Sequence, residues 1–287
     1  MSSPRIALYI GNEIYPGSGS DPCSTIRTLQ SSPLTSPILG LLNKSGHNPD
    51  LLVYNDASNP LFNTAGDYLG SQDWPSILAD LRGGNIRECY LSFSTNGTQY
   101  MADLLRNNHS AAMKILTAIK QTLGFDGIDL DYESGNYSPS SPIYPVAEAA
   151  VAANLKVTAA PFGDLPDWTT WVKHVQSKGG DVAWLNLQCY AGGIYNNPGD
   201  WNSTGVPIVA GSCNDCCCPQ TDCTPSDMQN LYTLWRTGQG DVSSSCWKGT
   251  ANTSPQNIGG GFIWVYSSIK GRQFPDYMNA LKAALGL

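Results

Sequence analysis

Charged side chains are scarce in this 287-residue chain: Asp, Glu, Lys and Arg make up 14% of it, and the formal net charge is -7. It contains no run of Lys or Arg, so nothing in it would attract nucleic acid or an anionic membrane. The three histidines lie in unrelated segments, and none belongs to an HExxH zinc motif. We therefore expect a neutral partner, a monomer, no nucleic acid or membrane partner, no metal and no cofactor.

Long apolar runs are also missing, since no stretch approaches the ~18 residues of a transmembrane helix. The first residues, MSSPRIALYIG, enter a strand almost at once, without the hydrophobic region of a secretory leader. Two interpretations are open: a cytosolic protein, or a secreted protein whose leader is not part of this sequence. Abundant Ser, Thr, Asn and Gly favour secretion, as do six N-glycosylation sequons, which start at Asn43, Asn96, Asn108, Asn136, Asn202 and Asn252.

Short apolar runs alternate with helix-length segments along the chain. Eight runs predict strands: RIALYI (5–10), DLLVY (50–54), IRECYLSF (86–93), FDGIDLDY (125–132), LKVTAA (155–160), VAWLNLQCY (182–190), VPIVAG (206–211) and GFIWVY (261–266). Helices are predicted over 108–124 and 227–238 and in the C-terminal segment FPDYMNALKAALGL.

This alternation predicts an α/β protein, a (β/α)8 TIM barrel, with a doubly wound sheet as the alternative. We find no linker and no repeat, so residues 1–287 are expected to form a single domain.

The fourth predicted strand, within GFDGIDLDYES, carries four carboxylates. Side chains alternate between the faces of a strand, so Asp129, Asp131 and Glu133 share one face and the interleaved Ile, Leu and Tyr share the other. Because the apolar face must pack on the helices, we expect the acids in the barrel lumen. Glu133 would lie at the C-terminal mouth, where barrel active sites are found. Asp126 has the opposite parity, and with Gly127 it is assigned a structural role.

A column of carboxylates shifts pKa values, because packed like charges share protons. The outermost acid can then stay protonated near neutral pH and act as a general acid. A solvated acidic loop is disfavoured, because the interleaved apolar residues demand burial. A metal site of the D-x-D type found in nucleotide-sugar transferases is also disfavoured, because no Gly-rich phosphate loop or basic cluster accompanies DLD.

FDGIDLDYE resembles, at every position, the fourth-strand signature D-x-x-D-x-D-x-E of glycoside hydrolase family 18, the chitinases and their relatives. The sixth strand ends in QCY, similar to the Q-x-Y of the small plant-type and fungal (class III-like) chitinases. The eighth reads GGGFIW, similar to the family's G-G-x-x-x-W, and RIALYIGNE resembles the first strand of that subgroup. The resemblance covers most of the chain and implies a catalytic TIM barrel. The segment between the last two predicted strands is too short for the large α+β insertion that deepens the groove of some chitinases, so the resemblance implies a shallower, endo-acting cleft.

The resemblance implies a role for each matching acid. Glu133 would donate a proton to the glycosidic oxygen, Asp131 would orient the substrate's 2-acetamido group and stabilise an oxazolinium ion, and Asp129 would tune Asp131. The substrate would supply its own nucleophile, so the anomeric configuration would be retained.

Three further residues are implied in binding. Tyr190, with Gln188, would hydrogen-bond the acetamido carbonyl, and Trp264 would stack on the sugar at the floor of the pocket. The alternative for Trp264 is an ordinary core tryptophan.

Two departures from the family pattern affect substrate choice more than reaction type. The third strand reads Ser92-Phe93-Ser94-Thr95, where the family usually has S-x-G-G, so packing beside the pocket must differ. Ala191 stands where Asn or Asp is common, which removes a possible acetamido contact.

Three functions follow in order of preference. The first is a secreted, endo-acting hydrolase of chitin and other β-1,4-linked N-acetylglucosamine oligosaccharides. The second is an endo-N-acetylglucosaminidase on N-glycans, which DYE, rather than a DDE-like variant, argues against. The third is a carbohydrate-binding lectin on the same barrel; such lectins usually lose the terminal Glu, and Glu133 is present.

The nine cysteines are unevenly distributed, since five fall in the segment CNDCCCPQTDC. Disulfides and a zinc site both fit its C-x-x-C spacing, and the absence of a nearby histidine favours disulfides. We expect most of six cysteines to be disulfide-bonded at the barrel rim: Cys213, Cys216, Cys217, Cys218, Cys223 and Cys246. Cys189 has the parity opposite to its neighbours and should face the helices as a buried thiol.

Overall fold

The computed structural model describes residues 3–17, 19, 21–55, 59–214, 223–241, 246–250 and 254–287. The strands in this part of the chain are β1 (Arg5–Ile10), β2 (Ser36–Lys44), β3 (Leu51–Tyr54), β4 (Pro60–Asn63), β5 (Tyr90–Ser94), β6 (Gly127–Asp131), β7 (Lys156–Ala159), β8 (Val182–Gln188), β9 (Ile208–Cys213) and β10 (Gly260–Trp264). The α-helices are α1 (Pro22–Gln30), α2 (Trp74–Leu81), α3 (Thr95–Asn107), α4 (His109–Gln121), α5 (Ile143–Ala152), α6 (Leu165–Ser177), α7 (Pro225–Thr237), α8 (Tyr266–Ile269) and α9 (Phe274–Leu285).

Eight parallel strands close into a barrel in the order β1, β2, β5, β6, β7, β8, β9, β10. β1 closes the ring by pairing with both β2 and β10. β3 and β4 continue from β2 as antiparallel strands outside the ring. The predicted α/β fold, a single-domain (β/α)8 TIM barrel, is confirmed. In its described part, the segment between β9 and β10 contains one helix, α7.

The strand predicted at DLLVY is present, but its assignment as the second strand of the barrel was wrong. DLLVY forms β3, which pairs antiparallel with the end of β2, and the second strand of the barrel is Ser36–Lys44. This stretch contains Pro37 and Gly40, residue types that are depleted in strands, so its pattern did not predict one. A Cβ on Gly40 would lie 2.9 Å from the Cβ of Ser92, so glycine permits the close approach of β2 and β5.

The three predicted helices are confirmed as α4, α7 and α9. The side chain of Asn108 accepts a hydrogen bond from the Ala111 N–H and so caps α4. α7 begins with a capping box between Thr224 and Asp227, in which each side chain bonds the other residue's backbone N–H. Capping of this kind satisfies amide groups that have no partner within the helix.

The apolar core has two layers, because each strand buries both faces. One cluster fills the barrel lumen and includes Tyr9, Tyr90, Trp184 and Phe262. The larger cluster lies between the strands and the helices. Cys189 belongs to this outer cluster as a buried free thiol, so its predicted orientation is confirmed. In the described part of the chain, the helices lack the combination of length and apolar character needed to span a bilayer.

A disulfide joins Cys223, just before α7, to Cys246, and Cys213 at the end of β9 is also disulfide-bonded. Cys216, Cys217 and Cys218 lie outside the described residues, as does the sequon at Asn252. The Cys223–Cys246 bond encloses α7 and ties the segment before β10 to the start of that helix.

Replacing both Cys223 and Cys246 by Ser should lower the free energy of unfolding by about 3 kcal/mol. The reason is that a bridge between residues 23 positions apart restricts the unfolded chain. Urea unfolding followed by tryptophan fluorescence measures the change. The control is Cys23→Ser, since Cys23 is exposed and unbridged. Equal unfolding midpoints for the double variant and the control would contradict this role.

Candidate active site

Asp129 is the innermost acid of the site and is completely buried. Four hydroxyl or amide groups donate hydrogen bonds to its two carboxylate oxygens: Tyr9 Oη (2.9 Å) and Ser92 Oγ (2.7 Å) to Oδ2, and Thr158 Oγ1 (2.7 Å) and Asn186 Nδ2 (3.0 Å) to Oδ1. These donors come from β1, β5, β7 and β8. The carboxylate therefore has the full set of partners that a buried charge requires.

Asp131 is also buried, two residues nearer the mouth, at 9% exposure. No described residue donates a hydrogen bond to its carboxyl group. Burial, and then the charges of Glu133 and Asp129, raise the pKa of Asp131 well above its usual value. Burial also raises the pKa of Asp129, although its hydrogen bonds oppose the shift. The inner pair therefore holds a proton under conditions in which an exposed carboxyl group is ionised.

Glu133 lies just beyond the end of β6 and is exposed. The Gln188 Nε2 group donates a hydrogen bond to Glu133 Oε1 at 2.8 Å, and a second to the carbonyl oxygen of Ala160 at 3.1 Å. The backbone N–H of Glu133 donates to Thr95 Oγ1 at 2.8 Å. The Gln188 side chain thus orients the Glu133 carboxylate, and the Thr95 side chain fixes the Glu133 backbone. The carboxyl group itself stays accessible at the mouth of the barrel.

Two aromatic residues lie beside the acids. Tyr190 is buried, and burial together with the charges of Asp131 and Glu133 raises the pKa of its hydroxyl well above the usual value. That hydroxyl is therefore a hydrogen-bond donor at neutral pH. Trp264 is only partly buried, and its ring lies 5.0 Å from that of Tyr9. Trp264 packs against the lumen cluster while part of its side chain stays accessible, and its role in sugar stacking stays a prediction.

The two departures noted in the sequence have distinct structural effects. Ser94 caps α3 by accepting a hydrogen bond from the Gly97 N–H, and Thr95 holds the backbone of Glu133. Thr95, the first residue of α3, therefore supports the acid directly, whereas Ser94 stabilises the start of that helix. Ala191 is exposed and has a φ of 47°, a left-handed conformation that is unfavourable for a residue with a Cβ.

Asp126 lies just before β6, away from the acid column, and its structural role stays a prediction. Its Oδ2 accepts hydrogen bonds from Arg82 Nη2 and from the Cys89 N–H, both at 2.8 Å. A Cβ on Gly127 would lie 2.5 Å from both the Lys156 carbonyl oxygen and the Tyr90 ring, so glycine is required by the close packing at the start of β6.

The donors to Asp129 were not identified from the sequence. A signal was nevertheless present, because Asn186 and Gln188 alternate on the predicted sixth strand, as Ser92 and Ser94 do on the third. Polar residues at alternate positions of several barrel strands indicate a polar lumen.

The fold resembles solved structures at low sequence identity. A family 18 chitinase from Pseudoalteromonas aurantia matches with a TM-score of 0.63 and 15% identity, over 98% of this chain and 99% of that one. A fungal endo-β-N-acetylglucosaminidase of glycosyl hydrolase family 18 matches with a TM-score of 0.59 and 14% identity, over 98% of this chain and 97% of that one. A human pseudo-chitinase with retained chitooligosaccharide binding matches with a TM-score of 0.56 and 13% identity, over 99% of this chain and 100% of that one. No family model and no curated protein matches the sequence. At these identities the likeness establishes the barrel fold.

Asp131→Asn should stabilise the protein at neutral and higher pH by ~3–6 °C in melting temperature. A carboxyl group whose pKa is raised in the folded state stabilises that state only while it is protonated, so stability falls as pH rises from the unfolded pKa through the folded one. The asparagine amide does not ionise, so the variant does not lose stability in this way as the pH rises. Thermal scans at pH 4 and pH 8 should show a difference from wild type that grows with pH; a pH-independent difference would contradict the assignment.

Proposed function

We propose that this protein is a glycoside hydrolase of family 18 that cleaves chitin and chitooligosaccharides, polymers of β-1,4-linked N-acetylglucosamine, at internal bonds. The observation that carries the proposal is the acid column, with its buried inner pair and with Glu133 exposed and oriented by Gln188. The barrel fold shared with two family 18 enzymes supports it. The likeness to small class III-like chitinases rests on the QCY and GGGFIW motifs.

In the first step, the protonated Glu133 carboxyl group donates its proton to the glycosidic oxygen while the bond from that oxygen to the anomeric carbon breaks. The carbonyl oxygen of the substrate's 2-acetamido group attacks the same carbon and forms an oxazolinium ion. The Tyr190 hydroxyl binds that carbonyl oxygen, and Asp131 accepts a hydrogen bond from the acetamido N–H as positive charge develops. Trp264 stacks beneath the sugar ring.

In the second step, the Glu133 carboxylate takes a proton from water, whose oxygen attacks the anomeric carbon and opens the oxazolinium ion. The product has the configuration of the substrate. Asp131 is the last residue of β6 and precedes Glu133 by two residues, which places it ~6–7 Å deeper at about 3.3 Å per residue of extended chain. That depth suits contact with a 2-substituent better than attack on the anomeric carbon, which supports substrate assistance.

Two alternative functions differ in what the site must do. A lectin needs no acid at the mouth, whereas Glu133 is present and held by both Gln188 and Thr95. One structural neighbour is a fungal endo-β-N-acetylglucosaminidase with the same barrel, so the fold alone does not separate the second alternative, an endo-N-acetylglucosaminidase on N-glycans. The buried Cys223–Cys246 disulfide fits a secreted protein, because such bonds persist in oxidising compartments.

Glu133→Gln should lower kcat about 10²–10⁴-fold, because the amide keeps the shape of the side chain but cannot donate the proton. Binding of N-acetylglucosamine oligomers should change little. The assay is product release from a chitin hexamer, together with calorimetric binding of the same oligomer. Glu148→Gln, a matched change on the outer helix α5, is the control. A Glu133→Gln enzyme with near wild-type kcat would remove Glu133 from its role.

Chitin oligomers, fully deacetylated oligomers and a biantennary glycopeptide should separate the candidate functions. The acetylated oligomers should be cleaved orders of magnitude faster than the deacetylated ones, because the latter have lost the nucleophile. NMR should show the β-anomer first. Faster cleavage of the glycopeptide would favour the N-glycan enzyme, binding without cleavage would favour the lectin, and equal rates on both oligomers would rule out substrate assistance.

A further inference from the structure

A small cavity opens at the base of the barrel, the amino-terminal end of the strands, which is opposite to the end that carries Glu133. Its volume is about 110 Å³, roughly that of three to four water molecules. The residues that line it lie at or just before the starts of β1, β2 and β5, and they include Arg5, Thr35, Ser36 and Arg87. We call it the base cavity, and the mechanism above does not use it.

Positive charge is in excess around the base cavity. Two arginines, Arg5 and Arg87, line it, and Glu88 is the one carboxylate that does so among the described residues. The oxygens of that carboxylate are already engaged, because Lys156 Nζ donates to Oε1 and Tyr90 Oη donates to Oε2 at 3.2 Å. Three cationic side chains thus surround one anionic side chain, in a protein whose net charge is negative.

The Arg5 guanidinium is fixed in place but lacks hydrogen-bond acceptors. Its Cζ lies 4.5 Å from the centroid of the Trp184 ring, in a cation–π contact. That ring is itself held, since its Nε1–H donates to Asn186 Oδ1 at 2.7 Å. The Nη2 group of Arg5 lies 3.8 Å from Glu88 Oε2, which is too long for a hydrogen bond. Only 21% of the Arg5 side chain is exposed, and no described residue accepts a hydrogen bond from its guanidinium, so its donors need a partner.

Arg87 and Ser36 supply further donors to the base cavity. The Arg87 side chain is exposed and forms no ion pair or hydrogen bond with the described residues, while its backbone N–H donates to the Thr35 carbonyl oxygen at 2.9 Å. Ser36 is 2% exposed, and its hydroxyl lies 3.3 Å from Thr35 Oγ1, longer than is usual between hydroxyls. Because the Thr35 hydroxyl donates to the Ile6 carbonyl oxygen, the Ser36 proton has only this weak partner.

We propose that the base cavity binds a small tetrahedral oxyanion, inorganic phosphate or sulfate, between the guanidinium groups of Arg5 and Arg87, with the Ser36 hydroxyl as a third donor. The planar fork of a guanidinium group matches two oxygens of such an anion. The anion compensates the excess positive charge and joins the starts of β1, β2 and β5, so it stabilises the folded barrel. The site lies at the opposite end of the barrel from the acids and does not depend on the proposed function.

The site is tested by calorimetric titration and thermal unfolding with sodium phosphate and sodium sulfate, with sodium chloride at equal ionic strength as the reference. The wild type should bind one anion per chain, and near-saturating phosphate should raise its melting temperature by about 2–4 °C. Arg87→Gln should weaken phosphate binding roughly tenfold, because it removes charge-assisted hydrogen bonds without touching the core. Arg27→Gln on α1 is the matched control, since Arg27 is also exposed and has no ion pair with a described residue.

The variants separate binding from the general stabilisation that phosphate and sulfate give by exclusion from protein surfaces. An equal rise in melting temperature in the wild type, Arg87→Gln and Arg27→Gln, without calorimetric saturation, overturns the site. A folded Arg5→Gln protein that binds phosphate with wild-type affinity overturns it as well. Glycerol phosphate should stabilise less than inorganic phosphate, because the ester group exceeds the cavity, and equal or greater stabilisation overturns the assignment to the free ion. None of these measurements uses chitin, so a failure here leaves the proposed function untouched.

Discussion

The burial of the Asp129 carboxylate is the constraint on which the barrel interior depends. A carboxyl group with no exposure in the lumen is tolerable only when hydrogen-bond donors surround it, and they come from β1, β5, β7 and β8. With β6, which carries Asp129, five of the eight barrel strands meet at one side chain. The hydrogen bonds to Asp129 thus fix the register of these strands relative to one another. The same buried carboxylate sets the electrostatics of the site at that depth in the barrel.

Burial decreases steadily along the acid column, and this gradient gives three chemically similar groups different environments. Asp129 is fully buried and saturated with donors, Asp131 is buried without a donor among the described residues, and Glu133 is exposed. Charge repulsion and burial therefore act most strongly on the middle carboxyl group. Such a group lowers the stability of the folded protein at neutral pH, a cost that is characteristic of functional sites.

The fold and the acid column were predictable because both depend on local periodicity. Alternation of acids with Ile, Leu and Tyr places Asp129, Asp131 and Glu133 on one face whatever the rest of the chain does. The identity of β2 was not predictable, because Pro37 and Gly40 interrupt its pattern and Gly40 is explained only by its contact with Ser92. The donors to Asp129 lie 29 to 120 residues away along the chain, and only strand order brings them together.

The cysteine-containing segment before β10 joins stability to function at the mouth. Cys246 is bridged to Cys223, and the next residue, Trp247, packs against Trp235 with ring centroids 5.7 Å apart. Trp247 also donates its indole N–H to the loop whose Asn196 side chain holds the backbone of Gln188. Because Gln188 in turn orients Glu133, a continuous set of contacts runs from the disulfide to the Glu133 carboxyl group. The covalent bridge therefore supports the geometry of the acid from outside the barrel, while the buried Asp129 network supports it from within.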